Sequence, residues 1–211
     1  MNKYAWMLAP LSLFALAACD NDPAAGKTRA EVKEAVAAAE PAPASAERYA
    51  FSNEGSAVSF VGAKLTAKHD GKFEKFTGSI DLVDRDPVKS RVEVEIDMDS
   101  LVADDERLTG HLKNEDFFDV AKFPTAKFVS TSVEARAQDG ATHVVTGNLT
   151  LHGVTKSISF PAKVKVDGDR VTVDAEFAIN RKDFDIVYPG MPDDLIKDEV
   201  LIKLDVDAKK Q

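Results

Sequence analysis

From Tyr49 onward, hydrophobic and polar residues alternate with period two, the pattern of strands that bury one face. The clearest run covers residues 91–100, where Val92, Val94, Ile96 and Met98 alternate with Arg91, Glu93, Glu95, Asp97 and Asp99. A second places Ile158, Phe160, Ala162, Val164 and Val166 on one face, a third Val171, Val173, Ala175, Phe177 and Ile179, and the last Val200, Ile202, Leu204 and Val206. Weaker alternation surrounds Val58 and Phe60, residues 76–82, 126–133 and 145–151. Turn signals at Asp139-Gly140, His152-Gly153 and Asp167-Gly168, with a further one at Asp70-Gly71, predict close hairpins and so antiparallel neighbours. One segment breaks the period: residues 104–119 carry Leu108, Leu112 and Phe118 at helical spacing behind an acidic start, which predicts a single helix.

Counting gives about eight strands and one helix, the number at which a closed barrel can hold one small ligand. Closure also removes exposed sheet edges. An open sandwich shares the same alternation, so the pattern alone leaves both architectures open.

Residues 20–48 are rich in Ala, Pro and Glu, lack aromatics and read as a solvated tether. Within it, Thr28 to Glu31 has capping-box spacing followed by Val32 and Val36, which predicts a short helix. Pro41 and Pro43 stiffen the approach to a domain at residues 49–211.

The first 18 residues change the picture. Lys3 precedes an uncharged apolar run over residues 7–18, shorter than the roughly 20 residues a membrane-spanning helix needs. That is the form of a signal peptide. It ends at Leu16-Ala17-Ala18-Cys19, which resembles the lipobox of bacterial lipoproteins, and Cys19 is the chain's single cysteine. The resemblance implies lipidation of Cys19, cleavage before it, and a periplasmic, membrane-anchored protein. Asp20 behind the cysteine resembles an inner-membrane retention signal. With no second cysteine, the domain holds together without a disulfide.

Formal net charge is −9, and losing Lys3 with the signal peptide takes it to −10. An acidic chain has no electrostatic footprint for nucleic acid, and anionic headgroups repel it, leaving attachment to the lipid. His69, His111, His143 and His152 each stand apart in sequence, without metal-ligand spacing. No nucleophile elbow or phosphate-binding glycine loop is present. Asp183, Asp185, Asp193, Asp194 and Asp198 cluster with Arg181 and Lys182, and read as a solvated loop around Tyr188-Pro189-Gly190. The predicted chain is therefore a non-enzyme without a cofactor or metal. Phe60, Phe76, Phe128, Phe160 and Phe177 fall on inward faces together with the small residues Gly78, Ser130, Gly147, Ala162 and Ala175. These faces suit either a solid core or an open channel.

Four stretches favour the channel. They are FVGAKLTAKHDGKFEKFTGSIDL from Phe60, RLTGHLKNEDFFDVAKFPTAKFVSTSV from Arg107, GNLTLHGVTKSISFPAKV from Gly147 and INRKDFDIVYPGMPDDLIKDEVLIKL from Ile179. Together they resemble the YceI-like family of lipid- or polyisoprenoid-binding domains over nearly all of residues 49–209. The chain departs from the family pattern at Asp185, where a Gly is usual.

The resemblance implies an all-β, eight-stranded antiparallel lipocalin-like barrel, with the helix between the third and fourth strands. It also implies an apolar channel for an isoprenoid quinone-like or other long-chain amphiphile. The candidates to line it are Phe60, Phe76, Val94, Ile96, Met98, Phe118, Phe128, Leu149, Leu151, Phe160, Val164 and Phe177. His111, Arg181 and Asp183 are candidates for the headgroup. The expected partners are the amphiphile and the membrane through Cys19, with a second copy of the chain, as a homodimer, a further candidate. The competing readings are a filled-barrel interaction or stress module and a lipid-modifying enzyme working through His111 and Asp183.

Overall fold

The computed structural model describes residues 21–37, 41–138 and 140–211. The signal peptide, Cys19, Asp20 and Asp139 lie outside the described residues. A short strand, β1 (Glu31–Glu34), precedes the domain. The first stave of the barrel is β2 (Glu47–Ser52) continued by β3 (Ala57–Ala63), and the second is β4 (Lys68–Phe73) continued by β5 (Phe76–Val83). The third is β6 (Asp86–Asp97), a 3-10 turn at Met98–Ser100, and β7 (Leu101–Ala103). Helix α1 (Glu106–Lys113) follows. Then come β8 (Thr125–Gln138), β9 (Ala141–Leu151), β10 (Val154–Asp167) and β11 (Arg170–Asn180). A 3-10 turn at Arg181–Phe184 and a miniature hairpin, β12 (Gly190–Met191) with β13 (Asp194–Leu195), lead into β14 (Glu199–Lys210).

Each stave pairs antiparallel with the next, and β14 returns to pair with β3 and β2 as well as with β11. The result is a closed eight-stranded antiparallel barrel with its helix between the third and fourth staves. The alternating runs supply its inner face: Ile158, Phe160 and Ala162 are buried, while Lys163 and Lys165, between the inward positions, are exposed.

The hairpins are tight. His152 and Gly153 have φ of 51° and 76°, and Asp84 and Arg85 have 54° and 59°, the left-handed pair that matches strand twist. Asp70-Gly71 is not a turn. It lies inside β4, and the chain reverses instead between β3 and β4, where Lys64 N–H donates to the Ala67 carbonyl at 2.9 Å. Asp185 adopts φ 57°, ψ 18° at the end of the 3-10 turn, a left-handed site that favours Gly and that Asp tolerates.

The helix is shorter than the period suggests. The Asp105 side chain caps it by accepting from Leu108 N–H at 2.9 Å, and it ends at Asn114. The Asn114 carbonyl then takes the amides of Phe117 and Asp119, which turns both Phe117 and Phe118 out of helical register.

Residues 28–36 are not helical. β10 and β11 pair with each other only between residues 163–167 and 170–174, then part. The gap would leave two strands with bare backbone groups. β1 fills it: Glu31–Glu34 pair antiparallel with residues 156–159 of β10, and Ala30 N–H donates to the Ala178 carbonyl of β11 at 2.8 Å. Val32 lies opposite Ile158 and packs onto the cluster of Ile158, Phe160 and Phe177. Asn148 then holds the Val36 backbone at both its N–H (3.2 Å) and carbonyl (2.7 Å). A lone helix of this length is marginal in water, whereas the barrel gap offers ready ladder partners.

The β12–β13 hairpin is pinned to the β3–β4 turn. The Asp194 carboxylate accepts from Thr66 N–H and Oγ1 at 3.1 and 2.9 Å and pairs with Lys64 at 2.6 Å. These bonds, the Lys64 contact foremost, hold the Asp194 carboxyl below its ordinary value of 3.8.

Two outcomes follow from these contacts. Val32→Asp places a charge against the apolar cluster and should lower the denaturant midpoint by the equivalent of about 1–3 kcal/mol. A freely solvated tether would show no change. For Asp194 the depressed folded pKa means its hook is fully in place above the ordinary value and weakens as pH falls through the folded one. Amide exchange at Met191 and Leu195 should therefore stay protected from neutrality down to the ordinary carboxylate range and rise only below it, and Asp194→Asn should raise it at all pH values.

Candidate functional site: an apolar chamber through the barrel

Inward side chains normally fill a small barrel, yet this one encloses a chamber of about 560 Å3, within the roughly 300–1,000 Å3 of ligand pockets. Three glycines help explain the space. Phe60 lies opposite Gly71 and Phe51 opposite Gly78, and each ring folds flat onto the glycine. A Cβ on Gly71 would stand 2.2 Å from the Phe60 ring, one on Gly78 2.1 Å from Phe51, and one on Gly147 2.4 Å from Phe128. The rings lie along the wall instead of crossing the lumen. Phe160 and Phe177 stack face to face at 4.2 Å and 13°, so each ring packs on the other.

The wall is hydrocarbon for most of its length. Phe60, Val94, Ile96, Met98, Phe118, Phe128, Leu149, Leu151, Phe160, Val164 and Phe177 all line it. Phe76 does not: it packs in the cluster of Tyr49, Phe51 and Ile80, because alternation fixes the direction of a side chain but not whether neighbours cover it. Ala162 and Ala175 likewise belong to the packed cluster rather than the chamber wall. The period put Leu108 and Leu112 on the helix without placing them in this wall, and it missed Phe117, Ile186, Tyr188 and Ile196, which come from loops.

At one end the chamber is lined by α1, the loop after it and the β12–β13 hairpin, and polar groups gather there. His111 contacts the rings of Phe117 and Tyr188 edge-on at 5.0 and 5.3 Å, and its Nε2 lies 3.0 Å from Asp116. Lys64, His69, Asp70, Asp105 and Asp194 line the same end, with His69 Nδ1 3.1 Å from Asp104. Arg181 also reaches the wall, but its guanidinium is committed to the backbone. It is 5% exposed and donates to the carbonyls of Lys197 (3.1 Å) and Ile186 (2.6 Å) and to Asp198 (3.3 Å). Burial pushes its pKa down, against the opposing pull of Asp198. Asp183, the third headgroup candidate, is exposed and does not line the chamber.

The histidines do not converge. His152 Nδ1 lies 3.2 Å from the Phe184 carbonyl, and His143 Nδ1 lies 2.8 Å from Thr142. Among the described residues no three His, Cys, Asp or Glu side chains gather as metal ligands. What the arrangement offers is a long apolar bore with a cluster of aromatic and ionisable groups at one mouth, suited to an amphiphile.

Known proteins resemble this chain in sequence or in fold. A UPF0312 protein of Enterobacter sp. (strain 638) is 38% identical over 122 residues, 55% of this chain and 62% of its own length. The crystal structure of Burkholderia cenocepacia BcnA superposes with a TM-score of 0.66 at 26% identity, covering 75% of this chain and 99% of that one. A polyisoprenoid-binding domain from Saccharophagus degradans, implicated in plant cell wall breakdown, has the same fold, with a TM-score of 0.63 at 17% identity over 79% of this chain and 99% of that one. The YceI-like domain matches residues 49–208, the whole of the barrel from its first stave to its last, and the chain belongs to the YceI-like domain family.

Proposed function

We propose that this protein binds a long-chain amphiphile, isoprenoid quinone-like or another lipid, in the barrel chamber, and works as a carrier or sequestering module rather than an enzyme. The observation that carries this reading is the continuous apolar bore of about 560 Å3 ending at the His111, Phe117 and Tyr188 cluster. The tail lies along the flattened Phe rings and the head stays at the polar mouth. Each methylene buried contributes about 0.8 kcal/mol, so a long tail needs no strong polar contact for affinity. The polyisoprenoid-binding character of the Saccharophagus degradans domain supports the same ligand class. The open bore weighs against a filled-barrel module. The tether reading belongs to the same proposal: Cys19 is lipidated, and the barrel stands on the periplasmic side of a membrane.

Filling the bore tests the chamber. Val94 and Val173 both line it, and Val94→Trp and Val173→Trp put a large ring into the ligand's space. The delipidated variants should unfold within about 1 kcal/mol of the delipidated parent, because the ring enters empty volume, while extractable amphiphile falls away. A solid core would instead lose about 1–3 kcal/mol or more to overpacking. Mass spectrometry of organic extracts and denaturant midpoints decide between them.

Intact mass tests the anchor. Protein from bacterial membranes should begin at Cys19 and carry acyl mass there, and Cys19→Ala should remove both. An unmodified Cys19 in the wild-type chain would sink the tether.

A further inference from the structure

The six large apolar side chains that the described residues leave exposed are not spread evenly. Leu65, Val187, Met191 and Leu195, between 45% and 62% exposed, all stand on the loops at the mouth end, whereas Val88 follows the opposite β5–β6 turn. Leu65 N–H donates to the Leu195 carbonyl at 3.0 Å, which joins the β3–β4 turn to the β12–β13 hairpin in one apolar rim. Met191 belongs to this rim and also lines the chamber, so the rim and the bore are continuous. Exposed apolar side chains grouped in this way mark an interaction surface.

The same rim receives the start of the described chain. Asn21 Nδ2 donates to the Leu65 carbonyl at 2.9 Å, and Lys68 Nζ donates to the Asp22 carbonyl at 3.2 Å. Ala24 is 1% exposed, residues 28–34 are built into the barrel wall and Asn148 holds Val36, so the described residues 21–36 are docked against the barrel. Cys19 precedes Asn21 by two residues, a reach of at most about 7 Å. An acyl group on Cys19 is therefore delivered beside Leu65, at the mouth and not at the far end.

We propose that the rim of Leu65, Met191 and Leu195 is a membrane-docking surface, seated in the headgroup–acyl boundary of the bilayer that Cys19 anchors to, with the chamber opening onto the lipid phase. The inference rests on the tether reading above. It adds an orientation and a route: the barrel stands mouth-down, and its amphiphile passes between bilayer and bore without crossing water. Stable membrane attachment takes two signals, and the rim supplies an apolar contact beside the acyl anchor. The chain's acidity favours a zwitterionic surface over an anionic one.

The single tryptophan, Trp6, falls in the predicted signal peptide, and Trp6→Phe keeps the background dark whether or not that segment is cut, which makes an optical test direct. Protein expressed from the full sequence, and purified as the bacterium processes it, carries either Leu65→Trp at the rim or Val88→Trp at the far end. Each is placed on phosphatidylcholine vesicles with brominated acyl chains. Leu65→Trp should shift to the blue and be quenched, and Val88→Trp should do neither. Equal responses at both positions, or none at either while the protein floats with the vesicles, would overturn the orientation and leave the tether standing. If the protein does not float and Cys19 is unmodified, the tether has failed. Coupling a maleimide lipid to Cys19 then supplies the anchor, and the same two tryptophans decide the rim.

A dimer that Leu65→Glu dissolves, with Leu65→Trp unquenched, would assign the rim to a second copy and defeat the proposal. Leu65→Glu with Leu195→Glu, neither of which lines the bore, should slow pickup of a fluorescent isoprenoid from vesicles. Its uptake from detergent micelles should be unchanged.

Discussion

A sheet keeps two bare edges unless its last strand returns to its first. In this barrel the return falls to β14, which runs beside β11 from residue 170 to residue 180 on one side and takes β3 and β2 in succession on the other. Everything enclosed depends on that double pairing, since an open sheet of this length would twist and collapse its apolar face onto itself. β14 also carries Val200, Ile202, Leu204 and Val206 into the lumen, so the strand that closes the ring also forms part of the chamber wall.

Closure is incomplete at one place, and the chain mends it with its own leading segment. Where β10 and β11 part, residues 28–34 restore the ladder and Val32 restores the apolar lining behind Phe160 and Phe177. The segment before the domain is thus structurally part of it. The ionisable groups at the mouth show a similar economy. Asp194 hooks a hairpin, Arg181 ties a loop to the approach to β14, and His152 contacts the Phe184 carbonyl. Their hydrogen bonds are spent on holding the mouth in shape.

How much of this could be read from the sequence follows from how local each cause is. The staves were legible because period two is a local pattern, as in Val92, Val94 and Ile96 of β6, and the helix was legible through Leu108 and Leu112. The turn at Asp84-Arg85 was not, because neither residue is a glycine although both adopt left-handed φ. Asp70-Gly71 misled for the opposite reason: Gly71 is small to receive the Phe60 ring, not to bend the chain. β1 was illegible because its partner edge exists only once β10 and β11 diverge, some 130 residues further along the chain in register with Ser159 and Ala178. In the chamber, the strand-borne wall was readable, while Phe117, Ile186 and Tyr188 came from segments without a period, and Phe76 pointed inward yet lay covered.

The glycines behind the aromatic rings carry a consequence for selectivity. Gly71, Gly78 and Gly147 are screened from the lumen by Phe60, Phe51 and Phe128, yet they decide how far each ring can retreat. One methyl group added behind a ring would narrow the bore without altering a single residue in its lining. The calibre of the barrel, and with it the girth of the molecule it admits, is therefore set in part by positions that no guest would ever touch.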